Sequence, residues 1–197
     1  MSQAGLFAAP LVDGLAHVDG LIDRDEEAAL IEGIGTLDLH PFRFQGWTGK
    51  RLTASFGWRY DFDDGSFAPT VDIPSWLLGV RARAARFAGI QADELIQLLI
   101  TRYDPGAGIG WHRDRPVFEH VVGISLGAAA TMRLRRRVAR GFERRSLPLA
   151  PRSAYHLAGE ARHGWEHSIV PIEATRWSIT FRSLSDKGRI ASQSVAR

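Results

Sequence analysis

The chain has 197 residues, 45% hydrophobic and 24% charged, which suits one domain built around a single core. It has no cysteine, so a disulfide scaffold, a thiolate zinc site, an iron–sulfur cluster and a cysteine nucleophile are excluded, and any metal must be held by His, Asp or Glu. No apolar run approaches the ~20 residues of a membrane span, and Met1-Ser2-Gln3-Ala4-Gly5 lacks the basic start and apolar core of a secretory signal, so a cytoplasmic protein is expected.

Asp23 is positioned to cap a helix over about 24–34, with Asp25, Glu26 and Glu27 in its first turn. From Pro41 to Pro69 the chain is rich in turn residues. That region carries Phe42, Phe44, Trp47, Phe56, Trp58, Tyr60, Phe62 and Phe67 in a setting too broken for a core helix. A second helix is predicted from Pro74 through Trp76, Leu77, Val80 and Ala84 to about Phe87. The apolar period then changes to two, and short strands are predicted over 95–103, 121–126, 131–136, 153–157, 167–170 and 176–183. Helices first and strands afterwards point to an α+β fold: an antiparallel jelly roll with buttressing helices in its N-terminal half. Nothing divides residues 1–184, while the weakly hydrophobic 185–197 reads as a flexible tail.

The formal charge of +3 conceals an uneven distribution. Of the 25 basic residues only Lys50 and Lys187 are lysines, and seven arginines with one acid, Glu143, fall between Arg133 and Arg145. Arginine offers a planar fork suited to phosphate, so such a patch suggests a polyanionic partner. A solvated strand and loop in an Arg-rich chain is the simpler alternative.

His112-Arg113-Asp114 follows a glycine-rich turn, Asp104 to Gly110. In an extended segment His112 and Asp114 project to one side and can hold one ion together. The downstream histidines His120, His156, His163 and His167 offer a third ligand, and two imidazoles with a carboxylate leave iron(II) three open positions. Alone, His-x-Asp is more often a surface pair. The segment 176–182 adds a second signal, because Arg176, Ser178, Thr180 and Arg182 alternate with Trp177, Ile179 and Phe181. Two arginines on the inner face of a jelly roll are costly unless an anion pairs with them. An edge strand whose arginines face water would explain the same pattern.

His112-x-Asp114, His167 after 52 further residues, and Arg176-x-Ser178-x-Thr180-x-Arg182 together resemble the AlkB family of Fe(II)- and 2-oxoglutarate-dependent dioxygenases. The resemblance implies a double-stranded β-helix with His112, Asp114 and His167 as catalytic iron ligands. It implies that Arg176 and Arg182 grip the two carboxylates of 2-oxoglutarate, with Tyr103, Thr101, Ser178 and Thr180 completing the cosubstrate site. The implied activity is demethylation of N-alkylated bases in DNA or RNA with O2, releasing formaldehyde, succinate and CO2. Residues 40–70 fall where that family carries its nucleotide-recognition lid. There Trp47, Phe56, Trp58 and Tyr60 are candidates to stack a base, Lys50 and Arg51 to meet phosphate, and Arg162 a further substrate contact; packing against the sandwich would account for the aromatics equally well.

The chain departs from the family pattern where Asn is frequent, with Thr101 and Ser178, and at Pro116, where founding members have an acid that contacts the base. The same iron site acting on a protein or another non-nucleic-acid substrate is therefore the alternative. A catalytically silent nucleic-acid-binding module is a more remote one, disfavoured because every ligand and both arginines are present. A monomer is the default expectation.

Overall fold

The computed structural model describes residues 11–44, 47–61 and 65–195. Strand β1 (Leu15–Val18) precedes helix α1 (Arg24–Gly35), then come β2 (His40–Phe44), β3 (Trp47–Phe56), β4 (Trp58–Tyr60) and β5 (Phe67–Pro69). Helix α2 (Leu78–Ala88) follows a 3-10 turn, and β6 (Gln97–Tyr103), β7 (Ile109–His112), β8 (Phe118–Gly127), β9 (Ala130–Arg137), β10 (Phe142–Leu149) and β11 (Ala154–Leu157) come next. The chain continues with α3 (Gly159–His163), β12 (Glu166–Ile169), β13 (Arg176–Leu184) and α4 (Asp186–Val195).

A seven-stranded sheet in the order β1-β11-β8-β13-β6-β3-β2 and a four-stranded sheet β10-β9-β12-β7 form a jelly roll, while β4 and β5 pair apart from both. The period of two explains the layering. Leu98, Ile100, Val122, Ile124, Leu126, Ile179 and Phe181 share one face of the large sheet with Leu30 and Ile34 of α1 and Leu77, Val80 and Ala84 beneath α2. Full burial of such side chains stabilises by about 1.5–3 kcal/mol each. Between the sheets lies a second cluster, with Tyr103, Val121, Met132, Leu134, Leu149, Tyr155, Leu157 and Ile169. Gly123 permits this packing, since a Cβ there would collide with the Tyr155 ring.

Helix α1 begins as the sequence predicts, with Asp23 and Glu26 forming a capping box. Arg83 of α2 binds both oxygens of Glu26 at 2.6 Å, and buried Glu27 joins α1 to the sheet through the Gly127 N–H and Arg152.

Three expectations need correction. The turn-rich stretch before Pro69 contains β2 to β5. Strand β10 was hidden by its charges, because only Leu147 and Leu149 of that strand are buried. The tail expected to be flexible forms α4: the Ser185 hydroxyl accepts from the Gly188 N–H and donates to the Pro116 carbonyl. Gly188 lets the helix approach the Val117 carbonyl, where any Cβ would clash, and Ala191 packs on Phe67, Val117 and Phe118. No helix among the described residues is long and apolar enough to cross a membrane.

Candidate active site

Strands β7 and β12 pair so that His112 lies directly opposite His167, their rings 4.2 Å apart. Asp114, two residues past His112, brings a carboxylate oxygen to 3.6 Å from His167 Nε2. Ligand atoms of His112, Asp114 and His167 all lie within 4.8 Å of one another, a spacing that can hold one metal ion. His112 Nδ1 is held at 2.9 Å by the Gly110 carbonyl, which leaves Nε2 for a metal. The competitor His163 points elsewhere, with Nε2 2.9 Å from Glu119. His120 and His156 stack on each other, His17 sits by Asp19 and His40 by Asp38, as packing or surface residues.

The electrostatics favour the donor forms that a divalent ion needs. Burial opposes charge on Asp114, but Arg182, His167 and His112 overcome it and hold the carboxyl well below its usual range. Burial, then neighbouring His112, pushes His167 down to about 3, and burial also lowers His112. Two neutral imidazoles and one carboxylate result.

The predicted cosubstrate residues line the same cleft of about 1330 Å³. On β13, Arg176, Ser178, Thr180 and Arg182 face it, next to Thr101 and Tyr103 of β6, the direct partners of Ser178 and Arg176. Arg176 is 1% exposed; its Nε donates to Ser125 Oγ at 3.0 Å, its plane lies 5.1 Å over Tyr103, and its Nη1 has no partner. An arginine so buried without an acid is costly unless an anion joins it. Arg182 is differently engaged, with Nε 2.7 Å from Asp114 and Nη1 2.8 Å from Gln97 Oε1. It thus secures the carboxylate between the histidines, a bond that the strand pattern did not reveal. Gln97 and Ser125 were also missed, because they are recognisable only as cross-strand neighbours of the two arginines.

The candidate substrate residues separate. Arg51, Phe56 and Tyr60 line the cleft, although Phe56 is also part of the helix-side core. Trp58 does not: its ring stacks on Phe67 at 4.8 Å and packs on the Val117–Phe118 cluster, where burial of the indole stabilises the β4–β5 hairpin. Arg162 is 3% exposed and donates to the Arg115 and Phe118 carbonyls. It therefore braces the loop after Asp114 from behind and pairs with neither Glu160 nor Glu166. The side chain of Trp47 and all of Phe62 lie outside the described residues. Trp111 lines the cleft, and buried Trp165 belongs to the core.

Comparison with known proteins agrees with this geometry. Residues 44–191 match the model for the 2OG-Fe(II) oxygenase superfamily. Mouse tRNA (carboxymethyluridine(34)-5-O)-methyltransferase ALKBH8 is 29% identical over 173 residues, 85% of this chain but 25% of that protein, so the chain spans about a quarter of that relative's length. Alpha-ketoglutarate-dependent dioxygenase AlkB of Salmonella typhimurium is 28% identical over 158 residues, 72% of this chain and 68% of that one. Among solved structures, OsALKBH1 superposes with a TM-score of 0.67 at 15% identity, covering 90% of this chain and 99% of that chain, a likeness of fold.

Proposed function

The chain belongs to the 2OG-Fe(II) oxygenase superfamily as an AlkB-like oxidoreductase that uses Fe(II), 2-oxoglutarate and O2, and on that premise we propose that it demethylates N-alkylated bases in nucleic acid. The observation that carries the proposal is the meeting, in one cleft, of the His112, Asp114 and His167 cluster with the buried Arg176, whose Nη1 has no partner. The donor set fits a divalent iron, and Nη1 of Arg176 fits a carboxylate. His112, Asp114 and His167 would hold the metal. When bound, Fe(II) with 2-oxoglutarate and O2 supplies an oxidant for an unactivated C–H bond while the cosubstrate becomes succinate and CO2.

The chain's own residues prepare that chemistry. Arg182 keeps the Asp114 carboxylate charged and aimed between the imidazoles. Arg176 offers a charge-assisted bond to one carboxylate of 2-oxoglutarate, with Tyr103, Thr101, Ser178 and Thr180 as neutral hydrogen-bonding neighbours. Thr101 and Ser178 are shorter than asparagine, which leaves room for a bridging water in that network. Leu99, Val121, Met132 and Ile169 line the cleft and exclude bulk water from the reacting carbon.

Two features favour nucleic acid as the partner. The mouse and Xenopus tropicalis relatives are named for an activity on a tRNA nucleoside. Of the seven arginines from Arg133 to Arg145, Arg135, Arg136 and Arg145 are paired with acids and Arg133 with Ser168, while Arg137, Arg140 and Arg144 have no acid partner among the described residues. A ladder reaches them from the cleft: Arg135 lies 4.4 Å over Trp111 and 4.5 Å over Phe142, and Arg137 and Arg144 lie 5.2 and 5.7 Å over that same ring. Phosphates along such a path would give steeply salt-dependent binding.

The test uses Fe(II), 2-oxoglutarate and ascorbate with single-stranded oligonucleotides carrying one N-methyl base, read by mass spectrometry. Loss of the methyl group, absent in Asp114→Ala, is the expected result. Succinate without methyl loss would overturn the nucleic-acid reading and favour a protein or other substrate, which Pro116 in place of an acid also allows. Neither product would favour a silent binding module.

A further inference from the structure

One polar group inside the cleft is left over by the metal triad and by the cosubstrate residues named so far. Tyr155 of β11 lines the cleft and is 8% exposed. Its register partner on β8 is Gly123, and the partner of Gly123 on β13 is Thr180. Gly123 has no side chain, and the Tyr155 ring lies across it: a Cβ there would stand 2.3 Å from Cζ and 2.5 Å from the hydroxyl oxygen. The glycine therefore opens a path by which a side chain from β11 reaches over β8 toward β13.

Where that path ends follows from the period of two. Ser125, Gly123 and Val121 follow one another on the cleft face of β8 and pair across to Ser178, Thr180 and Arg182. Ser125 Oγ accepts from Nε of Arg176 at 3.0 Å, so that guanidinium leans along β13 toward the level of Gly123. The Tyr155 phenol thus lies between the two arginines of the cleft, one step along β8 from the anchor of Arg176. Tyr103, opposite Arg176 on β6, flanks the same guanidinium from the other side of β13. Arg182 is bound to Asp114, so Arg176 marks the end of the cosubstrate site away from the metal ligands.

The hydroxyl is costly as it stands. Among the described residues it has no hydrogen-bond partner, and phenylalanine would fill the space over Gly123 without desolvating an O–H. Burial first, and the Asp114 charge second, push the phenol up to about 12, so it keeps its proton and can donate. We infer that Tyr155 is a further cosubstrate-binding residue, whose O–H donates to the carboxylate of 2-oxoglutarate that Arg176 holds. Neither the His-x-Asp motif nor the arginine strand points to it, and its role is the same whichever substrate is oxidised.

The test measures binding rather than turnover. Wild type and Tyr155→Phe are titrated calorimetrically, with Fe(II) and without O2, using 2-oxoglutarate and 2-oxobutanoate, a 2-oxo acid that lacks the second carboxylate. Tyr155→Phe is expected to lose about tenfold in affinity for 2-oxoglutarate, the worth of one hydrogen bond to a charged group, and nothing for 2-oxobutanoate. Affinity for Fe(II) alone and the Tm of the ligand-free protein should not fall. Unchanged affinity for 2-oxoglutarate overturns the assignment. An equal loss for both acids overturns it too, since that would mark a packing role. A second readout leaves position 155 intact. The chain has three tyrosines, so Tyr60→Phe with Tyr103→Phe leaves Tyr155 alone to be labelled with carbon-13 at Cζ. Saturating 2-oxoglutarate should shift that one NMR signal and 2-oxobutanoate should not; a signal that neither acid moves, or that both move alike, refutes the hydrogen bond.

Discussion

Strand β13 presents two different surfaces from one run of residues. Toward the helices it shows Trp177, Ile179 and Phe181, packed with the strands beside it into the core under α1 and α2. Toward the cleft it shows Arg176, Ser178, Thr180 and Arg182, all of them polar and largely removed from water. The first surface lowers the free energy of the fold by removing apolar area from water. The second raises it, because buried guanidinium groups are desolvated and Arg176 has no acid partner. The helix-side face is therefore where stability resides, and the cleft face carries a cost that a bound ligand would offset.

Phe181→Ala attacks the helix-side face where it is wholly buried. A loss of about 3–5 kcal/mol is expected from the lost transfer energy and the remaining cavity. Urea unfolding measures it, and activity per folded molecule should persist at low temperature. An unchanged urea midpoint would remove the helix-side face as the source of stability.

Acid sharpens the comparison on the same side of the sheet. His156, stacked on His120 and edge-on to Phe87, is pushed down to about 4, by burial first and by His120 second. In the unfolded chain it titrates near 6.5. As pH falls from 6.5 to 4 the unfolded state takes up a proton that the folded state refuses, so stability present above that window is lost within it. About 3 kcal/mol is at stake. Burial pushes His112 and His167 down as well, so the quantity to measure is the difference between wild type and His156→Gln in unfolding free energy against pH. Parallel curves would refute the assignment to His156.

Arg176→Met tests the cleft face with the opposite sign. Replacing a buried, unpaired guanidinium with an apolar chain of similar length should leave the ligand-free protein unchanged or more stable by about 1–3 kcal/mol. The rise in Tm that 2-oxoglutarate gives the wild type should vanish, although at a hundredfold excess over Kd such binding is worth about 2.7 kcal/mol. A variant that is less stable yet still responds to 2-oxoglutarate would contradict the division between the two faces.

The parts legible in the sequence follow the same division. A strand with one apolar and one polar face announces itself by its period, so β13 was readable; β6, β8 and β11 stood out as short apolar segments bounded by turns, and α1 by its cap. His112 and Asp114 were legible because they are near neighbours in the chain, whereas His167 was preferred among four histidines only through the resemblance to the family, whose spacing before the arginine strand it matches. What escaped depends on distant partners. Strand β10 conceals two inward leucines among arginines, and α4 owes its place to Ser185, Gly188 and the Val117 carbonyl. Trp58 and Arg162 look like substrate contacts by residue type, yet one is turned onto Phe67 and the other into the loop behind Asp114. Only the fold decides which way such side chains face.

The smallest expected effect concerns a residue with no motif at all. Gln97 lies opposite Arg182 across β6 and β13, and its Oε1 accepts from Nη1 at 2.8 Å while Nε of the same guanidinium binds Asp114 at 2.7 Å. Gln97 thus fixes the plane of Arg182, and Arg182 fixes the carboxylate, which makes Gln97 a positioning residue two hydrogen bonds removed from the carboxylate that would bind the metal. Gln97→Met keeps the volume and removes the acceptor, leaving Arg182 free to rotate about its bond to Asp114. Partners behind a metal ligand are worth about 10- to 100-fold in affinity, and Gln97 acts through one further residue, so a loss of roughly tenfold or less in Fe(II) affinity is expected. A merely structural role would lower Tm and leave affinity untouched. Metal titration beside thermal unfolding separates the two, and Gln97→Glu gives the check on sign: an added carboxylate competes with Asp114 for Arg182 and should weaken metal binding further, even while it satisfies the guanidinium charge.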